Sequence, residues 1–155
     1  MPKLKALTLV ELTVSIAITV MLIAVSVPLF NKERGDNLVQ KEAQLVAAYI
    51  ESARSMAQHP ESEDAVGYRV KSTGRVLSTL RLESVSGDLT ETGTVQNTLT
   101  LTRSTADFAS NNLDFYVFAG EYRGPAKTIT VKLDSNQDIK KSITISAPGV
   151  INVAP

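Results

Sequence analysis

Residues 7–30 read LTLVELTVSIAITVMLIAVSVPLF, a run of 24 residues with one charged side chain, Glu11. From Leu12 to Asn31 the chain carries no charge, and charges return at ordinary density from Lys32 onward. As a helix at about 1.5 Å per residue, this stretch would be roughly 36 Å long, enough to cross the roughly 30 Å hydrocarbon core of a bilayer. The sequence therefore predicts a membrane-spanning helix over residues 7–30.

Basic residues precede the apolar stretch. Lys3 and Lys5, together with the amino group of the chain, are expected to hold that end in the cytoplasm, because positive charge beside a span favours the cytoplasmic side. The expected topology is a single-pass protein of the inner (cytoplasmic) membrane with the bulk of the chain outside the cytoplasm.

Three interpretations fit the apolar stretch. A secretory signal peptide would be cut near Ala24-Val25-Ser26, although Pro28 lies close behind that site. A plain membrane anchor would stay intact. Neither interpretation explains Glu11, because a carboxylate inside a membrane segment costs about 2.5–3.5 kcal/mol and usually has a partner or a function.

The third interpretation depends on the segment Lys3–Leu12, which reads KLKALTLVEL. It resembles the cleavage signal of type IV prepilins and type II secretion pseudopilins, in which a short basic leader is cut by the prepilin peptidase before the apolar run. The resemblance implies a leader of residues 1–6, cleavage between Ala6 and Leu7, and N-methylation of Leu7. The family usually has Gly and Phe at the two positions where this chain has Ala6 and Leu7.

Glu11 becomes the fifth residue of the implied mature chain, where the family keeps a glutamate. The resemblance implies that Glu11 of one subunit pairs with the Leu7 amine of the next, and the cost of a buried unpaired charge would favour that docking. It also implies that Pro28 kinks the helix. The implied partners are other pilin or pseudopilin subunits, the prepilin peptidase, an inner-membrane assembly platform and membrane lipid, and the implied end state is an extracytoplasmic filament.

The apolar pattern becomes one-sided over residues 31–59. Side chains at three- and four-residue steps predict an amphipathic helix that continues into a globular domain. Pro28 and Gly35 favour a local interruption of the helix, and Pro60 is expected to end it. The predicted stripe, in which Glu42 is the one polar member, consists of Leu38, Val39, Glu42, Leu45, Val46, Tyr49, Ile50, Ala53, Met56 and Ala57.

Residues 60–155 change to a two-residue alternation, which predicts antiparallel β-strands joined by short turns. The predicted fold class is α+β, with one long N-terminal helix packed on antiparallel β-sheet. The stretch from Ser142 to Val153 resembles the closing strands of the GspH/FimT-like group of minor pseudopilins and minor pilins. The predicted strands are Val66–Val70, Val76–Val85, Thr94–Thr102, Leu113–Phe118, Thr128–Leu133, Ser142–Ser146 and Val150–Val153.

No enzymatic constellation stands out in the sequence. The single histidine, His59, lies beside a proline and is expected at the surface, Cys is absent, and no nucleophile elbow, phosphate-binding loop or paired-His zinc motif occurs. No enzymatic activity and no cofactor are therefore expected. A membrane-anchored or secreted binding module, with the sheet as its ligand platform, stays open as an alternative to the filament subunit.

The segment DSNQD at residues 134–138 alternates oxygen ligands as the start of a calcium loop does. The Gly expected next is Ile139, and the distal Glu position holds Ile145. A strand-connecting turn is therefore the favoured interpretation. The weak metal candidates are Asp134, Asn136 and Asp138.

The charge balance is even, with 16 Lys and Arg residues and 16 Asp and Glu residues. No net field would draw the chain to nucleic acid, and in the β-rich part the cations are interspersed with acids. A solvated surface is expected there, and nucleic-acid binding is not. The cations considered are Arg103, Arg123, Lys127, Lys132, Lys140 and Lys141.

Overall fold

The computed structural model describes residues 8–60, 65–85, 88–108, 113–116, 121–122, 125–147 and 149–154. Backbone contacts divide the chain into two units, Met1–Gly35 and Asp36–Pro155. A single α-helix, α1, spans Leu9–Gln58 and is 50 residues long. Only β-strands follow it in the described residues, and the predicted α+β class is confirmed.

The long helix stays helical at both residues where an interruption was predicted. Pro28 and Gly35 lie inside α1, so the prediction of a break is wrong. Proline removes one backbone donor, and the other hydrogen bonds of a long helix persist around it. A bend at Pro28 stays a prediction. The predicted end is confirmed, since the last helical residue is Gln58 and the exposed His59 donates its N–H to Ser55 O at 3.0 Å.

Two antiparallel sheets follow the helix. The strands in the described part of the chain are β1 (Gly67–Thr73), β2 (Val76–Val85), β3 (Asp88–Thr100), β4 (Ser104–Phe108), β5 (Leu113–Tyr116), β6 (Glu121–Tyr122), β7 (Lys127–Leu133), β8 (Lys140–Ser146) and β9 (Val150–Val153). The five-stranded sheet has the order β3-β2-β1-β5-β6, and the four-stranded sheet has the order β4-β7-β8-β9. Because β1 pairs with β5 and β4 with β7, the topology is not a simple meander.

Most predicted strands are present, with shifted ends. The bounds Val76–Val85 and Val150–Val153 are confirmed as predicted. The predicted strand Thr94–Thr102 begins earlier than expected, because β3 starts at Asp88 and continues through residues 91–93, with register shifts against β2. Strands β4 and β6 were not predicted. Residues 117–118 of the predicted strand Leu113–Phe118 lie outside the described residues.

The core lies between the second half of α1 and the inner faces of the two sheets. The prediction that Leu45 belongs to the buried stripe is wrong, because this residue is 53% exposed. Ala43, which was not in the predicted stripe, is buried. The buried side chains of the helix are Val39, Glu42, Ala43, Val46, Tyr49, Ile50, Ala53 and Ala57. Large side chains that the sheets bury in this core include Tyr68, Leu77, Leu113, Phe115, Tyr122, Ile129, Ile143 and Ile145.

Candidate membrane-anchoring and assembly site

The start of α1 is closed by a reciprocal cap between Thr8 and Glu11. The Thr8 backbone N–H and the Thr8 hydroxyl each donate to Glu11 Oε2 at 2.9 Å, and the Glu11 N–H donates to Thr8 Oγ1 at 3.3 Å. This is the capping-box arrangement, in which a Thr is followed three residues later by a Glu. From the sequence, Glu11 was expected to pair with an amine of another subunit. The cap with Thr8 was missed, although the three-residue spacing of Thr and Glu indicates it.

Both of these hydrogen bonds from Thr8 reach the same carboxylate oxygen. Within the described residues, nothing donates to Glu11 Oε1. A carboxylate has lone pairs on both oxygens, so the cap fixes the side chain and leaves one oxygen able to accept a further donor. Ala6 and Leu7, the predicted cleavage and methylation residues, lie outside the described residues.

The helix that follows the cap presents apolar side chains on every side. All residues from Thr8 to Arg34 are exposed. Large apolar residues are among the most exposed, with exposed fractions of 78% for Leu9 and 70% for Met21. An 18-residue window of α1 has a mean hydropathy of 2.4, and none of it is buried. By length and composition this helix could cross a membrane. An apolar surface of this extent needs lipid or packed helices around it.

The hydroxyl groups inside the apolar half are satisfied by the helix itself. Each donates to a backbone carbonyl three or four residues earlier, at distances of 2.6–2.9 Å. No hydroxyl among them therefore brings an unpaired donor into an apolar environment, where water is absent. The four residues are Thr13, Ser15, Thr19 and Ser26.

Glu42 ties the buried half of α1 to the link between the two sheets. Its side chain is buried, and Oε1 accepts the N–H groups of Thr102 at 3.1 Å and Arg103 at 3.2 Å. The Ser104 hydroxyl donates to Oε2. A buried carboxylate is expensive unless donors surround it, and here three donors from one turn do so. The sequence singled out Glu42 as polar within an apolar stripe but did not identify these partners.

A second polar cluster lies on the five-stranded sheet. Arg69 makes a two-pronged contact with Asp114, with Nε–Oδ1 at 2.6 Å and Nη2–Oδ2 at 2.7 Å, and its Nη1 donates to Glu91 at 2.9 Å. Lys71 donates to the other oxygen of Glu91. The bonds from Lys71 and Arg69 hold the pKa of Glu91 below its ordinary value, and the bond to Asp114 raises the pKa of Arg69. Each charge has an opposite partner, so this cluster joins β1, β3 and β5 structurally.

The predicted metal-candidate loop is a turn between β7 and β8. Asp134 Oδ2 pairs with Arg75 Nη2 at 2.5 Å, and Asn136 Oδ1 accepts the Asp138 N–H at 3.1 Å. The first two candidate ligands are therefore occupied by protein partners, as a strand-connecting turn requires. Among the described residues, no group of three or more His, Cys, Asp and Glu side chains could hold a metal ion.

Comparison with solved structures identifies the fold. The crystal structure of the type IV minor pilin FimU from Pseudomonas aeruginosa matches with a TM-score of 0.57 and 21% identity, over 77% of this chain and 90% of that chain. A second crystal form of FimU matches with a TM-score of 0.54. The minor pseudopilin EpsH of the type 2 secretion system of Vibrio cholerae matches with a TM-score of 0.50 and 17% identity, over 75% of this chain and 95% of that chain.

The chain thus has the fold of minor pilins and minor pseudopilins, one long helix on antiparallel sheets. This confirms the predicted fold, one long N-terminal helix packed on antiparallel β-sheet. No protein-family model matches the sequence, and no curated protein is significantly similar to it.

Proposed function

We propose that this chain is a structural subunit of the minor pilin or minor pseudopilin type, held in the inner membrane by α1 and assembled through that helix into an extracytoplasmic filament. The observation that carries the proposal is the uncovered apolar surface over residues 9–30, with one capped carboxylate, Glu11, at its start. The fold shared with FimU and EpsH supports it. Because that fold is common to both proteins, the proposal covers a type IV pilus and a type II secretion pseudopilus.

The proposal includes cleavage by the prepilin peptidase between Ala6 and Leu7 and methylation of the new Leu7 amine. That amine would pair with Glu11 of the neighbouring subunit. The arrangement of the cap supports this pairing, because Oε2 is held by Thr8 while Oε1 is open. Away from water, an unpaired charge is strongly disfavoured, so the pair would fix the axial register of neighbouring helices.

The partners in this proposal follow from the stages of assembly. Membrane lipid would surround residues 9–30 before assembly, and helices of other pilin or pseudopilin subunits would replace it in the filament. The inner-membrane assembly platform would move the subunit from one environment to the other. In both stages the apolar side chains stay away from water, and the Glu11 carboxylate gains a counter-charge only in the second.

Two substitutions separate the charge of Glu11 from its capping role. Glu11→Gln keeps an oxygen for the Thr8 donors and removes the charge, whereas Thr8→Val removes the capping hydroxyl and keeps the charge. If the charge pair drives assembly, Glu11→Gln should lower incorporation into sheared filaments by about tenfold or more, the equivalent of about 1.4 kcal/mol. Thr8→Val should retain most incorporation.

Membrane insertion is the control for both variants. Each should resist alkaline extraction as the unsubstituted chain does, since the apolar segment is unchanged. Incorporation of Glu11→Gln at the normal level would contradict the charge pair. Equal loss in both variants would assign Glu11 to the helix cap alone.

A further inference from the structure

Strand β9 is the last strand of the four-stranded sheet, and in the described residues it pairs with β8 alone. One residue beyond β9, the Ala154 N–H donates to the Ser142 carbonyl at 2.9 Å, in register with the ladder. Hydrogen-bonded and non-hydrogen-bonded pairs alternate along an antiparallel ladder. The N–H and C=O groups of Ile151 and Val153 therefore point away from β8, toward the open edge of the sheet.

The side chains of β9 bring the apolar core to this edge. Ile151 and Val153 share the inner face of the sheet with Ile143 and Ile145 on β8, which are buried. Ile151 and Val153 pack against the same core but are only half-buried. Within the described residues, no hydrogen-bond partner lies at their outward backbone groups. In this part of the chain, the ladder and the apolar row both stop at β9 without a cover.

The other edge strands, as far as the structure describes them, are covered, irregular or very short. At β4 the Ala106 N–H donates to the Gly74 carbonyl at 3.0 Å, and the Ser72 hydroxyl donates to the Ala106 carbonyl. Strand β3 has register shifts against β2, and its Thr98 N–H donates to the Asn97 side chain. Strand β6 has two residues. Such features protect a sheet edge from pairing, whereas β9 pairs with β8 over its four residues without a register shift.

The sequence around β9 contains no charge that would oppose pairing. No charged residue occurs from Ser142 to Pro155. Charged side chains on an edge strand are a common means of preventing its pairing with another strand. The one polar side chain of β9 is that of Asn152, which is exposed on the outer face of the sheet. Two copies of β9 would therefore meet without repulsion between charges.

We propose that two copies of this chain pair through β9, in antiparallel orientation about a two-fold axis at Asn152. In this register Ile151 of each copy lies opposite Val153 of the other, and their outward N–H and C=O groups bond across the axis. The facing β-branched side chains extend the apolar row from one copy to the next, and such cross-strand pairs are favourable. The interface is isologous, because the same strand is used by both copies.

In this pairing Asn152 faces the same residue of the other copy. The two residues form a non-hydrogen-bonded pair, in which the Cα atoms lie about 4.5 Å apart and the side chains are close. Like charges placed directly opposite each other destabilise a strand pair, and opposite charges stabilise it. The inference concerns the second unit alone, so it requires α1 to be neither in a membrane nor in a filament.

Cross-linking of the full chain in detergent tests the register. The chain contains no Cys, so Asn152→Cys introduces a single thiol. Two Cα atoms about 4.5 Å apart are within reach of a disulfide, and mild oxidation should link Asn152→Cys into a dimer. Thr98→Cys, at an exposed position of the edge strand β3, is the control and should give at least about fivefold less dimer. Equal cross-linking of the two variants would overturn the inference.

Charge variants test the two-fold axis without a new covalent bond. Asn152→Lys and Asn152→Asp should each associate with themselves about fivefold more weakly than the unsubstituted chain does, because like charges then face each other. A mixture of the two variants should recover the association, measured as the untagged variant that co-purifies with the affinity-tagged one. Both variants should keep the denaturant midpoint of the unsubstituted chain, because residue 152 is exposed.

Association through the apolar residues 9–30 is distinguished by the same variants, because it would be equal in all of them. Unchanged association of Asn152→Lys with itself, or a mixture that associates no more strongly than either variant alone, would overturn the inference. So would an unsubstituted chain that stays monomeric at about 1 mM. None of these results bears on the proposed function, which depends on α1 and Glu11.

Discussion

Glu42 in α1 accepts a hydrogen bond from the hydroxyl of Ser104, which lies 62 residues later at the start of β4. The other carboxylate oxygen accepts two backbone N–H groups from the residues just before Ser104. That turn connects β3 of one sheet to β4 of the other. A single buried side chain therefore anchors both sheets to the helix.

Replacing Glu42 should destabilise the second unit. Glu42→Leu leaves two backbone donors and one hydroxyl without partners, and we expect a loss of about 3 kcal/mol in the free energy of unfolding. Glu42→Gln keeps an acceptor oxygen and should cost about 1 kcal/mol. Denaturant unfolding of the full chain in detergent measures both. Glu51→Leu, at an exposed position of the same helix, is the control and should change stability by less than about 0.5 kcal/mol.

The contact between Arg69 and Asp114 should be energetically coupled. The two side chains are only 18% and 24% exposed and form a two-pronged contact, so a double-mutant cycle with Arg69→Met and Asp114→Asn should give about 1–2 kcal/mol of coupling. The pair Arg54–Glu51, in which Glu51 is 56% exposed, should give about 0.5 kcal/mol or less. Equal coupling in the two cycles would show that the sheet cluster is no stronger than a surface pair.

Acid should weaken the sheet cluster through Glu91. Its pKa lies below the ordinary value of 4.5 because Lys71 and Arg69 donate to it. A carboxyl with a depressed folded pKa stabilises the protein above its unfolded pKa and loses that contribution as pH falls through the folded value. Glu91→Gln should therefore flatten the decline in unfolding free energy between about pH 5 and about pH 3. Lys71→Met should flatten it partly, and an unchanged decline in both variants would contradict this assignment.

Gly67 in β1 should not tolerate a side chain. A Cβ at this residue would lie 2.6 Å from the backbone oxygen of Phe115 on the neighbouring strand, and a backbone atom cannot move aside without disturbing the pairing. Gly67→Ala should cost about 2 kcal/mol or more. Gly74→Asn is the matched control, because that position has φ of 65° and open space, and Asn tolerates the left-handed conformation. A stable Gly67→Ala protein would contradict the close approach of the strands.

Local periodicity predicted most of the elements, because one buried face imposes a repeat on each helix and strand. It failed where that repeat is weak. In β4, the inward-facing Ser104 and Ala106 are small or polar, so the alternation has no apolar signal. Leu45 fits the helical stripe by spacing alone and is nevertheless exposed.

In the candidate site, too, local contacts were easier to predict from the sequence than contacts between distant residues. The Thr8–Glu11 cap joins residues three apart, so the spacing alone could have predicted it, although it was missed. The partners of Glu42 and Arg69 lie 22 to 62 residues away along the chain, so their identity depends on how the sheets fold onto the helix.

The mature N-terminus of the chain in assembled filaments tests the account most directly. Mass spectrometry of sheared filaments should find Leu7 as the first residue with a methylated amine, since that amine is the proposed counter-charge for Glu11. A chain that is incorporated into filaments with Met1 through Ala6 still attached would contradict the account. So would a mature chain that begins at Val27.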